Sequence, residues 1–168
     1  MQTHELFQHM SEDTASSVFG YFREEERDAY RGAIATLAGQ RKLRPVFVTK
    51  KSVPDQFAWL KKSCARKQAA DAGEHLLQIW LLRARSELLV QFLDGVGIEH
   101  DGSGAVDNLP ESLDAEKLKS TVDGLVEKYP AEEVAIYLHV FQAQTPDGWP
   151  QLAELLEQDE RLALANKA

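Results

Sequence analysis

The segment that most constrains the fold of this chain spans residues 72–94. Its apolar residues, among them Trp80 and Phe92, recur with helical spacing and cover most of the circumference of a helix. A helix that is apolar all round has to be surrounded by other elements. The pattern therefore predicts one long central helix over 72–94, with Asp71 as its cap and Gly95 at its end.

Most of the remaining chain shows the same helical period, with amphipathic stripes over 23–40, 54–68 and 114–128. These patterns predict an all-α fold, an irregular bundle of about six to seven helices around the central helix. The exception is the segment 44–53, which is rich in β-branched residues and contains Pro45. Because a lone strand is only marginally stable, we expect this segment to form an extended arm packed over the helices.

The length of 168 residues suits a single helical domain over residues 1–168. The stretch 95–110 is rich in glycine and polar residues and predicts the longest loop. It offers a possible subdivision into a larger N-terminal part, 1–95, and a smaller helical part, 111–168.

The charge of the chain reverses within residues 41–67. This basic window holds nine lysines and arginines against one acidic residue, so it carries +8 in a protein whose net charge is −8. Residues 94–160, in contrast, contain sixteen acidic residues against three lysines. Such asymmetry indicates an electrostatic contact, made by the basic window either with a separate partner or with the chain's own acidic part.

Helical phasing divides the basic window into a core face and an exposed face. The core face of the helix that follows Pro54 is expected to comprise Phe57, Leu60 and Cys64. An aromatic ring between two cations on the other face is typical of surfaces that bind phosphates or stack on bases. The candidate binding residues are Trp59, Lys62, Arg66, Lys50 and Lys51. The alternative is that Trp59 is buried beneath the arm or a neighbouring helix.

The sequence predicts no catalytic, cofactor-binding or metal-binding residues. The loop around His100 and Asp101 does not follow the ligand order of a calcium loop, and the five histidines form no zinc or di-iron motif. A single cysteine, Cys64, excludes a multi-cysteine zinc site; its basic neighbours favour a reactive thiolate, and its apolar neighbours favour a core residue.

We therefore expect a non-catalytic helical interaction module that contacts a protein partner or a second copy of itself through the basic window. The alternative is a nucleic-acid-binding protein that uses the same surface. A third reading is an enzyme that sets His100 or His139 beside a buried carboxylate. The first residues do not form a signal peptide, and charged residues interrupt the most apolar segment, so we expect a cytoplasmic protein without a membrane span.

Overall fold

The computed structural model describes residues 1–164. Over this range the chain is helical without any strand, which confirms the all-α prediction, and it has ten α-helices rather than the expected six to seven. None of the helices in this range is long and apolar enough to cross a membrane. The α-helices are α1 (Thr3–His9), α2 (Glu12–Glu25), α3 (Arg27–Gln40), α4 (Pro45–Thr49), α5 (Val53–Cys64), α6 (Ala70–Ala84), α7 (Ser86–Val96), α8 (Ala115–Lys128), α9 (Ala131–Gln142) and α10 (Pro150–Gln158). Two short 3₁₀ helices span Lys67–Ala69 and Glu160–Leu162.

The described chain consists of two compact units, with the boundary inside α6. Unit 1 covers residues 1–80 and unit 2 covers residues 81–164. Unit 1 has twelve basic and ten acidic residues, whereas unit 2 has six basic and seventeen acidic residues. The basic window 41–67 thus lies in unit 1, and the acidic stretch 94–160 lies in unit 2. The stretch 95–110, proposed as a boundary from the sequence, lies inside unit 2.

Unit 1 is built around α5, which packs against α1, α2 and α3. Its core is aromatic and aliphatic, and the rings of Phe7 and Phe19 stack with their centroids 6.0 Å apart. Leu60 and Cys64 on α5 are fully buried, as the helical phasing predicts, while Phe57 is half-buried. Burial of these stripes explains why amphipathic segments with modest helix propensity are helical here.

The predicted extended arm over 44–53 is wrong. Residues 45–49 form the short helix α4, which begins at Pro45, and α5 begins at Val53. Proline suits the first turn of a helix, because its fixed φ is helical and its missing N–H would have no partner there. The fully buried side chain of Val48 ties α4 to the rest of unit 1. Tertiary packing therefore overrides the β propensity of the segment.

The predicted single helix over 72–94 is also wrong, because the helix is interrupted at Arg85. Arg85 adopts φ −129° and ψ 27°, which separates α6 from α7. Its amide still donates to the Leu81 carbonyl, and its carbonyl accepts from the Leu89 amide. The interruption therefore costs little backbone hydrogen bonding, and the apolar pattern continues across it.

Unit 2 contains α7 to α10, with α7 packed against α8 and α9 against α10. Its core holds a continuous aromatic cluster. The Phe92 ring meets the Phe141 ring edge-on at 5.1 Å, and the Phe141 ring stacks on Trp149 at 4.7 Å. Gly97 ends α7 in the left-handed conformation, with φ 77°.

The close packing of α7 on α8 depends on Gly95. A β-carbon at this position would lie 2.9 Å from Cβ of Thr121 on α8, closer than two carbons can approach. We expect Gly95→Ala to lower the free energy of unfolding by about 1–3 kcal/mol, because one of the two helices has to move. Urea denaturation followed by circular dichroism measures this change.

The matched control is Gly32→Ala in α3, where a β-carbon would meet no atom within 4 Å. Alanine is the better helix former, so this substitution should stabilise the protein by up to about 1 kcal/mol. A stabilising effect of Gly95→Ala equal to that of Gly32→Ala would contradict the proposed contact with Thr121.

Candidate binding surface

The geometry of the basic window begins at the end of α3. Lys42 has φ 56°, a left-handed conformation that is uncommon for lysine, and it reverses the chain direction. The Leu43 amide donates to the Ala38 carbonyl at 2.8 Å, and the Lys42 amide donates to the Gly39 carbonyl at 3.0 Å. This pair of hydrogen bonds is the Schellman pattern, which caps the helix and sends the chain into α4.

Gln56 on α5 fixes the C-terminal end of α4. Its side-chain nitrogen donates to the carbonyls of Thr49 at 3.3 Å and Lys51 at 3.0 Å. Its side-chain oxygen accepts a 2.7 Å hydrogen bond from the buried hydroxyl of Tyr30 on α3. Burial raises the pKa of Tyr30, while the charge of Arg23 opposes this effect. Hydrogen bonds from one buried amide thus hold the end of α4 against α3 and α5.

The anchoring of α4 leaves two large apolar side chains in solvent. Val46 is 48% exposed and Phe47 is 50% exposed, whereas the next residue, Val48, is fully buried. The ammonium group of Lys51 lies 4.7 Å from the centroid of the Phe47 ring, within the range of a cation–π contact. Arg44 and Lys50 are also exposed. We call the set Arg44, Val46, Phe47, Lys50 and Lys51 the α4 surface.

Two of the five candidate residues, Lys50 and Lys51, therefore belong to the α4 surface. The sequence did not single out Val46 and Phe47, because β-branched and aromatic residues beside a proline suggested packing over helices. Both side chains remain exposed because α4 is short and buries only one of its residues, Val48.

Trp59 does not share an exposed face with Lys62 and Arg66. It is only 8% exposed, and the guanidinium carbon of Arg41 lies 5.3 Å from its ring centroid. Arg41 also donates a 3.0 Å hydrogen bond to the hydroxyl of Ser63. The end of α3 thus covers the indole, which confirms the alternative that Trp59 is buried, and the expectation of an exposed stacking ring at Trp59 is wrong. Lys62 and Arg66 are exposed, and their participation in binding stays a prediction.

The loop after α7 lines an open cavity of about 790 Å³ in unit 2. Nε2 of His100 lies 2.6 Å from the carboxylate of Asp94, and its Nδ1 accepts a hydrogen bond from the Gly102 amide. Both imidazole nitrogens are therefore engaged in holding the loop. The Asp101 carboxylate accepts hydrogen bonds from the Ser103 amide and hydroxyl, which lower its pKa.

These polar groups stabilise the loop conformation, and the Asp94 carboxylate is exposed rather than buried. Among residues 1–164 no three histidine, cysteine, aspartate or glutamate side chains come together in a group that could hold a metal ion. Cys64 is a core residue rather than a reactive thiolate, because burial raises its pKa to about 12.

The most distinctive exposed chemistry of unit 1 is thus the combination of apolar and cationic side chains on α4. Comparison of the chain with protein-family models, with curated proteins and with solved structures gives no match.

Proposed function

We propose that the protein is a non-catalytic helical interaction module that binds an acidic protein partner through the α4 surface. The observation that carries the proposal is the half-exposed pair Val46 and Phe47 on a helix that is itself firmly anchored. Anchoring matters because a preorganised surface does not have to be ordered when the partner binds.

The composition of the α4 surface suits a protein partner. An exposed aromatic ring beside an aliphatic side chain can fill an apolar pocket, which is the usual core of a protein interface. The surrounding cations, Arg44, Lys50 and Lys51, would face acidic groups at the rim of that pocket and accelerate encounter. The expected partner surface is therefore an apolar pocket with an acidic border.

A second copy of the chain is a specific candidate for this partner, since unit 2 has seventeen acidic and only six basic residues. Binding of α4 from one copy to unit 2 of another would be a head-to-tail contact, which generates rings or open chains rather than a symmetric dimer. Self-association would then grow with concentration and weaken with salt.

Nucleic acid is the alternative partner, supported by the Phe47 ring with Lys51 over it, a combination that also stacks on bases. Affinity for labelled single-stranded DNA or RNA would in that case fall steeply with salt, because each phosphate contact releases counterions. A third reading, an enzyme whose site is not visible in the sequence, has no comparable observation in its favour.

Phe47→Ala should weaken binding to the protein partner by about 30-fold or more, because aromatic residues at interface centres contribute at least about 2 kcal/mol. Affinity purification with quantitative mass spectrometry compares the proteins retained by wild type and variant. Sedimentation velocity detects self-association in the same samples. Since Phe47 is half in solvent, the variant should keep its fold.

Leu82→Ala is the matched control, since Leu82 is 38% exposed and lies outside the α4 surface. A protein retained by wild type and Leu82→Ala but lost from Phe47→Ala supports the proposal. Identical retention by all three proteins, with unchanged sedimentation, would rule out α4 as the interface.

A further inference from the structure

Unit 1 contains a separate cavity of about 390 Å³ at the junction of α2 and α3, lined by three arginines. Arg23 lies in the last turn of α2, and Arg27 and Arg31 lie one turn apart at the start of α3. The wall includes Tyr30 and Gln56. We call this site the arginine pocket. Its volume lies within the range of small-molecule sites, about 300–1,000 Å³.

The three guanidinium groups are available to a ligand. Within residues 1–164, the side chains of Arg23, Arg27 and Arg31 make no hydrogen bond and no ion pair, although Glu24 also lines the cavity. The other side-chain donors of the wall are engaged within unit 1, including the Thr49 hydroxyl, which donates to the Val46 carbonyl at 3.4 Å. The Tyr30 hydroxyl donates to Gln56, and the Gln56 amide donates to two backbone carbonyls of unit 1. Recognition in this cavity would therefore fall to the arginines.

Two of these arginines, Arg27 and Arg31, are placed unfavourably for the folded protein on its own. Like charges four residues apart on a helix, as at Arg27 and Arg31, repel each other by a few tenths of a kcal/mol. Arg27 is also the first residue of α3, where the helix dipole favours negative charge rather than positive charge. Glu24 lines the cavity and Asp28 lies in the first turn of α3, but within residues 1–164 neither forms an ion pair with these arginines, so an external anion would relieve both penalties further.

We propose that the arginine pocket binds a phosphate monoester. Three arginines and one glutamate give the cavity a local charge of +2, which matches the charge of about −1.5 to −2 on a phosphate monoester at neutral pH. The planar guanidinium group is the side chain best suited to hold phosphate oxygens through two hydrogen bonds at once. The volume leaves room for the organic group that carries the phosphate.

The site differs from the α4 surface in residues and in ligand, so the two proposals can fail separately. The phosphate could come from a phosphorylated side chain of a protein or from a free small molecule. Two probes, N-acetyl-O-phosphoserine amide and inorganic phosphate, represent these sources. Tighter binding of the first indicates a phosphorylated side chain, whereas equal or tighter binding of the second indicates a small free phosphate.

The test is calorimetric titration of the full chain with each probe. The double substitution Arg27→Gln and Arg31→Gln should weaken binding of the preferred probe by at least about tenfold, because it removes two sets of charge-assisted hydrogen bonds. Lys67→Gln with Lys119→Gln removes the same charge from exposed positions outside the cavity. This control pair should change the affinity by no more than about twofold.

Amide and arginine side-chain NMR spectra provide a second measurement on the wild-type protein. Adding the preferred probe should shift the Nε–H signals of Arg23, Arg27 and Arg31. Equal weakening by both double substitutions would reveal only general electrostatic attraction and overturn the proposal. Absence of binding by either probe at millimolar concentration, or shifts confined to other residues, would overturn it as well.

Discussion

Arg85→Met should be among the most destabilising single substitutions in unit 2. Arg85 forms a two-point ion pair with Glu133, in which Nε and Nη2 donate to the two carboxylate oxygens at 2.7 and 2.9 Å. The hydrogen bonds and charge of Glu133 raise the pKa of Arg85. The Glu133 side chain is only 7% exposed, so removal of Arg85 leaves a buried charge without its partner. We expect a loss of about 3–5 kcal/mol in the free energy of unfolding.

The position of this ion pair explains why the effect should be large. Arg85 is the residue that separates α6 from α7, and Glu133 lies in the first turn of α9. A third hydrogen bond, from Nη1 to the Ala84 carbonyl at 3.0 Å, holds the guanidinium group against the interruption. The ion pair therefore fixes the helix break to α9. Urea denaturation, together with hydrogen exchange of the α9 amides, measures its loss.

Two comparisons test the mechanism. Asp123→Asn removes one partner of an ion pair with Arg161 that is about half exposed, 45% and 47% for the two side chains, and leaves Arg161 paired with Asp159, so it should cost less than about 1 kcal/mol. The double variant Arg85→Met with Glu133→Leu removes both charges and should recover most of the loss. If the double variant is as unstable as the sum of both single variants, the cost comes from packing instead of from an unpaired charge.

The same ion pair shows what the sequence could and could not predict. Apolar periodicity over residues 72–94 correctly predicts helix on both sides of Arg85, because burial of an apolar face is a property of the local pattern. The interruption itself carries no local signal, since arginine is a good helix former and neither proline nor glycine is present there. It coincides with a contact to Glu133, which lies 48 residues further along the chain.

For the candidate binding surface as well, the sequence shows the local pattern but not the contacts between different helices. The concentration of basic residues in 41–67 is visible in the sequence, and two of its candidate residues, Lys50 and Lys51, lie on the α4 surface. The burial of Trp59 under Arg41 could be stated only as one of two alternatives, because it depends on how α3 ends beside α5. The exposure of Phe47 depends on the buried Gln56 that anchors α4, a contact between different elements of unit 1.

The second large effect is expected for Trp149→Ala in unit 2. The Trp149 ring is almost completely buried and stacks on Phe141 with centroids 4.7 Å apart. Its indole nitrogen donates to the Pro110 carbonyl at 2.9 Å, and its backbone amide donates to the side chain of Gln142. The ring thus joins the aromatic core to the long loop before α8. Loss of so large a buried side chain should cost about 3–5 kcal/mol, measured by urea denaturation.

Trp149→Phe separates the two roles of the indole. Phenylalanine preserves an aromatic ring against Phe141 but cannot donate to Pro110, so the lost hydrogen bond alone should cost about 1 kcal/mol. Hydrogen exchange of individual amides distinguishes the two roles more directly than the total stability does. Because the bond to Pro110 ties the loop to the core, hydrogen exchange of the loop amides in residues 97–113 should accelerate more than exchange in α9. Uniform acceleration in both regions would show that the indole acts through packing alone and that the loop is held by other contacts, such as the hydrogen bonds of His100 and Asp101.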